Sequence, residues 1–98
     1  MVKHIVMWNI QEGLDKEEIY LKLKDKLEGL VREIPFLKKI ELGRAYNESE
    51  TAHDVILYSE FDSKDDLSAY IVHPKHKEVG SFVRSVVCDR VDVDYEIK

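Results

Sequence analysis

The first stretch of the chain alternates between two sets of side chains, as a β-strand does. The strand predicted over Val2–Ile10 has large apolar groups on both faces. One face holds Val2, His4, Val6, Trp8 and Ile10, and the other holds Lys3, Ile5, Met7 and Asn9. A strand with two apolar faces is covered on both sides, so the pattern predicts a central strand of a sheet.

A helix is predicted after this strand. Asp15 is placed to cap its first turn, Glu18 follows three residues later as in a capping box, and Leu14 and Ile19 have the spacing of a hydrophobic staple. Apolar residues then recur at steps of three and four, at Ile19, Leu23, Leu27, Leu30, Val31 and Ile34. Proline lacks a backbone N–H, so we expect a single helix that ends at Pro35.

Two further strands are predicted in the middle of the chain. Phe36–Tyr46 contains a connection and then a strand, one face of which is Ile40, Leu42, Arg44 and Tyr46. Asn47–Thr51 is a polar turn. His53–Phe61 forms the next strand, with Val55, Leu57 and Phe61 on one face and Ile56 and Tyr58 on the other.

Pro74 divides the next helical region in two. Ser63 is placed to cap a short helix with Asp66 three residues later, and its buried side is expected to be Leu67, Tyr70 and Ile71. Proline pushes the preceding residue towards extended geometry, so this helix should end near Val72 and a second should begin at Pro74. The apolar stripe of the second helix is Val79, Phe82, Val83 and Val86.

The last predicted strand is Val87–Ile97. We expect its apolar set to point inward, with Asp89 as the exception on that face: Val87, Val91, Val93, Tyr95 and Ile97. Apart from Cys88, the other set is expected to point outward: Arg90, Asp92, Asp94 and Glu96.

The element order β-α-β-β-α-β predicts the ferredoxin-like α+β fold, with helices on one face of a four-stranded antiparallel sheet. Residues 1–98 are expected to form one domain. The helices leave Ile5, Met7, Ile56 and Tyr58 uncovered on the other face. Packing this face against that of a second copy predicts a homodimer whose two sheets form one α/β barrel.

The amino-acid composition argues against a nucleic-acid partner and against a membrane partner. The 98 residues carry a net charge of −5, which is not the basic footprint of a nucleic-acid-binding protein. No apolar run approaches the roughly 20 residues that span a bilayer, and no signal-peptide pattern is present. The one cysteine, Cys88, excludes an internal disulfide and favours a reducing compartment. We therefore expect a cytoplasmic protein with no nucleic-acid or membrane partner.

Four segments form an ordered set along the chain: Val2-Lys3-His4-Ile5-Val6, Ile34-Pro35, Asp65-Asp66-Leu67 with Tyr70, and His73-Pro74-Lys75-His76. This set resembles the stress-responsive dimeric α/β-barrel (Dabb) family. The ordered set covers essentially the whole chain. The resemblance implies a homodimeric barrel of ferredoxin-like subunits. The resemblance does not imply a single function, because the functions within the family differ. Some plant members are linked to stress tolerance, and some members cyclise polyketide chains without a cofactor.

The resemblance also implies pocket residues. In the cyclising members, a histidine on the first strand and the tyrosine and second histidine of a Y-x-x-H-P-x-H segment line the pocket. Those positions match His4, Tyr70 and His76. A further tyrosine on the first helix of those members has no counterpart here, since Leu27 lies near that point.

The chemistry of these side chains favours proton transfer. Histidine takes and returns a proton near neutral pH, and a tyrosine hydroxyl can orient a carbonyl or stabilise a developing enolate. We expect His4, Tyr70 and His76 to be the catalytic group. Contacts with a small apolar or aromatic ligand are expected from Val6, Trp8, Leu27 and His73. His73, directly before Pro74, is also expected to cap the second helix.

No metal or cofactor is expected. The spacing of His73 and His76 would suit a metal on a continuous helix, but Pro74 begins the helix after His73. The acidic residues of the last strand alternate along it and lack the turn that wraps a calcium ion.

Three functions remain open from the sequence, and the chain is not assigned as an enzyme. One is a small-molecule site that binds, or performs cofactor-free acid–base chemistry on, a keto-type or aromatic ligand. Another is a non-catalytic structural or stress-response dimer. The third is a monooxygenase of the dimeric barrel type that works without a metal or flavin.

Overall fold

The computed structural model describes residues 1–98 and contains four strands and four helices. In chain order they are β1 (Val2–Ile10), α1 (Lys16–Glu28), α2 (Leu30–Glu33), β2 (Lys39–Arg44), β3 (Val55–Phe61), α3 (Lys64–Ile71), α4 (Pro74–Val86) and β4 (Val87–Glu96). The strands form one antiparallel sheet in the order β2-β3-β1-β4. This arrangement confirms the predicted ferredoxin-like α+β fold.

The helices begin where the capping residues predict. The carboxylate of Asp15 accepts a hydrogen bond from the Glu18 N–H (3.0 Å), and the hydroxyl of Ser63 accepts one from the Asp66 N–H (3.1 Å). Each bond satisfies one of the N–H groups that the first helical turn leaves without a partner. α4 begins at Pro74, as predicted.

The predicted helix between Asp15 and Pro35 is wrong in one respect, because it is divided at Gly29 into α1 and α2. The Arg32 N–H bonds to the Gly29 carbonyl, which is a tighter turn than an α-helix makes. Glycine is a poor helix former, so the chain changes its winding at this position at low cost. Val31, predicted to be part of the apolar stripe, is exposed as a result.

The core lies between the helices and the face of the sheet that carries the even-numbered residues of β1. Two further expectations fail here. Ile71 is exposed, because the buried side of α3 is formed by Leu67 and Tyr70. Tyr46 is 97% exposed, because β2 ends at Arg44 and Tyr46 lies beyond the sheet.

The predicted faces of β4 are wrong from Val91 onward. Val87 pairs with Ile10 and is buried on the helix side, as expected. Val91, however, pairs with Met7, and Val93 pairs with Ile5, so both lie on the open face. Directly paired residues of neighbouring strands share a face. The apolar residues of β4 therefore extend the open face of the sheet.

The same reversal moves the acidic residues of β4 to the helix side. Asp92 pairs with Val6, and Asp94 pairs with His4. The cause is a register shift between Met7 and Asn9, opposite Asp89, whose φ of 55° is left-handed. A β-bulge adds one residue to a strand, so the side chains beyond it change faces.

The open face of the sheet carries a continuous apolar patch, beside which Lys3 and Glu60 form an ion pair. It joins side chains from β1, β3 and β4: Ile5, Met7, Ile56, Tyr58, Val91, Val93 and Tyr95. All the helices lie on the opposite side. No helix is long and apolar enough to cross a membrane.

Candidate functional site

A cavity of about 210 Å³ lies between the sheet and the helices α1 and α4. Its wall comprises His4, Val6, Trp8, Leu27, Leu57, His76, Gly80, Val83, Arg84 and Arg90. Aliphatic and aromatic side chains form one part of the wall, and two histidines and two arginines form the other. A concave, mostly apolar site with a few converging polar groups is the usual form of a small-molecule site.

His4 is fixed by a carboxylate from the neighbouring strand. Its side chain is buried, and its Nδ1 donates a hydrogen bond to Oδ1 of Asp94. The pairing exists because Asp94 lies directly opposite His4 in the sheet and on the same face. With the proton on Nδ1, the neutral imidazole has Nε2 as its acceptor.

His76 is held in the same tautomer by the backbone. Its Nδ1 lies 3.0 Å from the carbonyl oxygen of Ile71, and a carbonyl can only accept, so Nδ1 carries the proton and Nε2 is the acceptor. Burial lowers the pKa of His76 from its ordinary value, and electrostatic interactions with His4, Arg84 and Arg90 lower it further, whereas the hydrogen bond to the Ile71 carbonyl opposes the shift. The imidazole is therefore held as the neutral base at pH 7.

Tyr70 lies beneath the two histidines and does not form part of the cavity wall. Its ring centroid is 4.4 Å from that of His76 and 6.3 Å from that of His4. The side chain is fully buried, and its hydroxyl has no hydrogen-bond partner. Burial raises the pKa of Tyr70 far above its ordinary value, so the phenol keeps its proton.

His73, expected to contact a ligand, lies outside the cavity. Its Nδ1 accepts a hydrogen bond from the Lys75 N–H (3.1 Å), which makes it the N-cap of α4. Its ring packs edge-on against Phe36, with centroids 6.2 Å apart. The capping role predicted for His73 is confirmed, and the cap directs its imidazole away from the cavity wall.

Two arginines of the wall were not predicted from the sequence. Arg84 follows His76 by eight residues and Gly80 by four, so a helical count from His76 places it on the same side of α4. Arg90 could not have been found in this way, because only the bulge at Asp89 directs it to the helix side of the sheet.

A larger depression of about 460 Å³ lies on the open sheet face, beside the loop that joins β2 to β3. It is wide open, and its wall contains one histidine, His53, and the exposed Tyr46. It brings together none of the predicted site residues. No group of three or more His, Cys, Asp or Glu side chains is arranged to hold a metal ion.

The fold and the cavity define a class of protein, a ferredoxin-like α+β subunit with a histidine-bearing cleft between sheet and helices. The chain belongs to the Dabb family, the stress responsive A/B barrel domain, which it matches over residues 2–97. No curated protein matches the chain.

Solved structures share this fold over nearly the whole chain. A dimeric protein of unknown function from Bacteroides fragilis is 33% identical, with a TM-score of 0.83 over 98% of this chain and 95% of that one. A hydroxynitrile lyase from Passiflora edulis is 19% identical, with a TM-score of 0.87 over 99% of this chain and 93% of that one. A protein from Deinococcus radiodurans is 10% identical, with a TM-score of 0.79 over all of this chain and 93% of that one. It is provisionally described as an antibiotic biosynthesis monooxygenase. The last two likenesses concern the fold alone.

Proposed function

We propose that the protein is a homodimer that binds a small apolar or aromatic molecule in the cavity of each subunit, and that it performs acid–base chemistry there without a cofactor. One observation carries the proposal. His4 and His76 lie in one cavity wall, each with Nδ1 fixed by an acceptor, so that Nε2 of each ring is its free acceptor.

His76 is the proposed general base. Its lowered pKa keeps it neutral at pH 7, and a neutral imidazole can accept a proton from an acidic C–H or O–H of the ligand. His4 is the proposed second proton carrier, because Asp94 holds its Nδ1–H and Nε2 is left to accept a proton. Tyr70, which does not reach the wall, is proposed as a positioning residue that supports the imidazole of His76.

The size and lining of the cavity indicate the proposed ligand. An apolar cavity of roughly 150 Å³ is enough to hold benzene, so 210 Å³ suits a single ring with a short substituent. Val6, Trp8 and Leu27 are the proposed contacts for the ring. Its polar substituent would then lie towards the histidines.

The proposed dimer forms through the open face of the sheet. That face is apolar across three strands, and such a surface usually marks an interface. The Bacteroides fragilis relative is described as dimeric. We also propose a cytoplasmic location, which suits the free, exposed Cys88.

A non-catalytic structural dimer is the second candidate. It is favoured by the burial of His4 and by the bond that joins it to Asp94, because a histidine that only ties β1 to β4 would look the same. The monooxygenase hypothesis has no comparable support, since the Deinococcus radiodurans protein shares the fold alone.

The two candidates are separated by NMR shift mapping with small aromatic and β-keto compounds. The proposal predicts shift changes around His4, Val6 and His76. His76→Ala should weaken binding, whereas the control His53→Ala, in the loop between β2 and β3, should not. Shift changes confined to other surfaces, or none at all, would favour the structural dimer.

A further inference from the structure

We infer that the ligand of this cavity carries an oxyanion, a carboxylate or a phosphate, and that Arg84 and Arg90 bind this group while the apolar wall holds the rest of the molecule. The inference rests on the proposed function, since it names the chemical class of ligand for the same cavity.

Arg84 has a free charge in the cavity wall. No carboxylate lies within 4.0 Å of its guanidinium, whereas many other basic residues of the chain form ion pairs. Its Nη1 lies 3.2 Å from the point where a Cβ on Gly80 would be. The guanidinium therefore lies over Gly80, and a larger residue at position 80 would crowd it.

Arg90 reaches the same wall from the sheet. Its Nη1 donates to Oδ2 of Asp92 at 2.6 Å, which uses one of the five N–H groups of the guanidinium. The side chain remains about half exposed, so other N–H groups stay accessible. Asp92 holds Arg90 in place, but it is not itself part of the cavity wall.

The charge of the wall is opposite to that of the protein. The chain carries a net charge of −5, yet the wall contains two arginines and two histidines and no carboxylate. A cleft lined by one sign of charge attracts ligands of the other sign. Guanidinium groups match the planar geometry of a carboxylate and also bind phosphate. An apolar neutral molecule would leave Arg84 without a counter-ion, because of the two arginines only Arg90 has a carboxylate partner, Asp92.

The polar and apolar parts of the wall together describe one kind of molecule. Its apolar side chains are Val6, Trp8, Leu27, Leu57 and Val83. They suit a ring or a short alkyl group, and the arginines suit an oxyanion attached to it. A single ring with one acidic substituent fits the volume of about 210 Å³.

Binding of such an anion should be coupled to the protonation of His76. The groups around His76 are the cations Arg84 and Arg90, the imidazole of His4 with its carboxylate partner Asp94, and the neutral phenol of Tyr70. The anion would offset the positive charges and raise the pKa of His76 from its lowered value. Because binding and protonation are linked, affinity for the anion should increase as the pH falls from 7.5 to 5.5.

The test compares phenylacetate, phenyl phosphate and phenylacetamide, three ligands that share a ring and differ in charge. Affinity is measured by NMR titration of the full-length protein. We expect at least one of the anions to bind about tenfold more tightly than the amide, as a charge-assisted hydrogen bond allows. Arg84→Gln and Arg90→Gln should each remove most of this preference. Arg44→Gln, which removes the same charge from β2 outside the cavity, should leave it unchanged.

Each result is decisive. If the amide binds in the cavity as tightly as both anions, the inference is overturned and the proposed function stands. If none of the three compounds shifts the cavity residues, both are overturned. If both arginine variants keep the preference for the anion, binding is adventitious and the inference fails. The relative affinities of the two anions identify the head group.

Discussion

The rings of Tyr70 and His76 lie 4.4 Å apart at an interplanar angle of 52°, yet the buried hydroxyl of Tyr70 forms no hydrogen bond. Tyr70 lies in the last turn of α3, and His76 lies in the first turn of α4. The corner at Pro74 brings the two turns together. The tyrosine therefore supports the imidazole through ring contact and not through its hydroxyl.

Tyr70→Phe should leave the protein at least as stable as the wild type. A buried hydroxyl without a partner costs about 1–3 kcal/mol of desolvation, so its removal should stabilise the fold by up to about 1 kcal/mol. Tyr70→Ala should instead cost about 3–5 kcal/mol, because it leaves a cavity in the core. Urea denaturation measures both. A loss of stability in Tyr70→Phe would mean that the hydroxyl has a partner.

Acid should weaken the fold through His76. Its pKa in the folded protein lies below the ordinary value of 6.5, so the folded state binds fewer protons than the unfolded chain. The resulting stabilisation is present above about pH 6.5 and is lost as the pH falls through the lowered pKa.

His76→Gln should therefore lose less stability than the wild type between pH 7.5 and pH 5. Denaturant midpoints at several pH values measure this difference, with His53→Gln as the matched control. Parallel pH profiles for the wild type and His76→Gln would show that His76 has the same pKa in the folded and unfolded chains.

The proposed dimer should dissociate when a charge is placed on the open sheet face. Val93 and Leu21 are 51% and 56% exposed in the isolated subunit, but only Val93 belongs to that face. Val93→Lys should yield monomers or aggregates, because it places an unpaired charge at the sheet-to-sheet contact. Leu21→Lys, on the outer side of α1, should remain dimeric.

Light scattering across micromolar concentrations gives the mass of each variant. Ile5→Asp should behave as Val93→Lys does, since these two positions are paired in the sheet. A wild-type protein with the mass of a monomer would contradict the proposed dimer. Stable dimers in both charged variants would mean that the interface lies elsewhere.

Substitutions at Asp89 should test the bulge. The φ of 55° at this position suits asparagine nearly as well as aspartate, but it strains a β-branched residue. Asp89→Val should cost about 1–2 kcal/mol more than Asp89→Asn, because it adds left-handed strain. It also loses the bond from Asn9 Nδ2 at 3.0 Å. Equal denaturant midpoints for the two variants would indicate that the bulge lies at another residue.

The corner between α3 and α4 should tolerate Pro74→Ala better than His73→Pro. Alanine fits the first turn of α4, so its cost should be about 1 kcal/mol or less. The His73 N–H donates to the Tyr70 carbonyl at 3.1 Å, and proline at position 73 would lose both this bond and the helix cap. Denaturant midpoints that rank the two variants the other way would contradict this account of the corner.

The sequence alone determined the parts of this protein that depend on local physics. The alternation of side chains in Val2–Ile10 correctly predicted β1. The capping residues Asp15 and Ser63 correctly predicted where α1 and α3 begin. Pro74 placed the corner between α3 and α4, because the backbone limits of proline do not depend on the rest of the fold. The order of these elements then determined the ferredoxin-like topology.

The tertiary structure decided which residues meet across the sheet. Alternation shows which side chains of β4 share a face, but only pairing with β1 decides which face meets the helices. The bulge at Asp89 reversed that choice, since one added residue moves every later side chain to the other face. It placed Asp94 beside His4 and Arg90 in the cavity wall, across more than eighty residues of sequence. Such contacts arise from strand register, which no local pattern in β4 records.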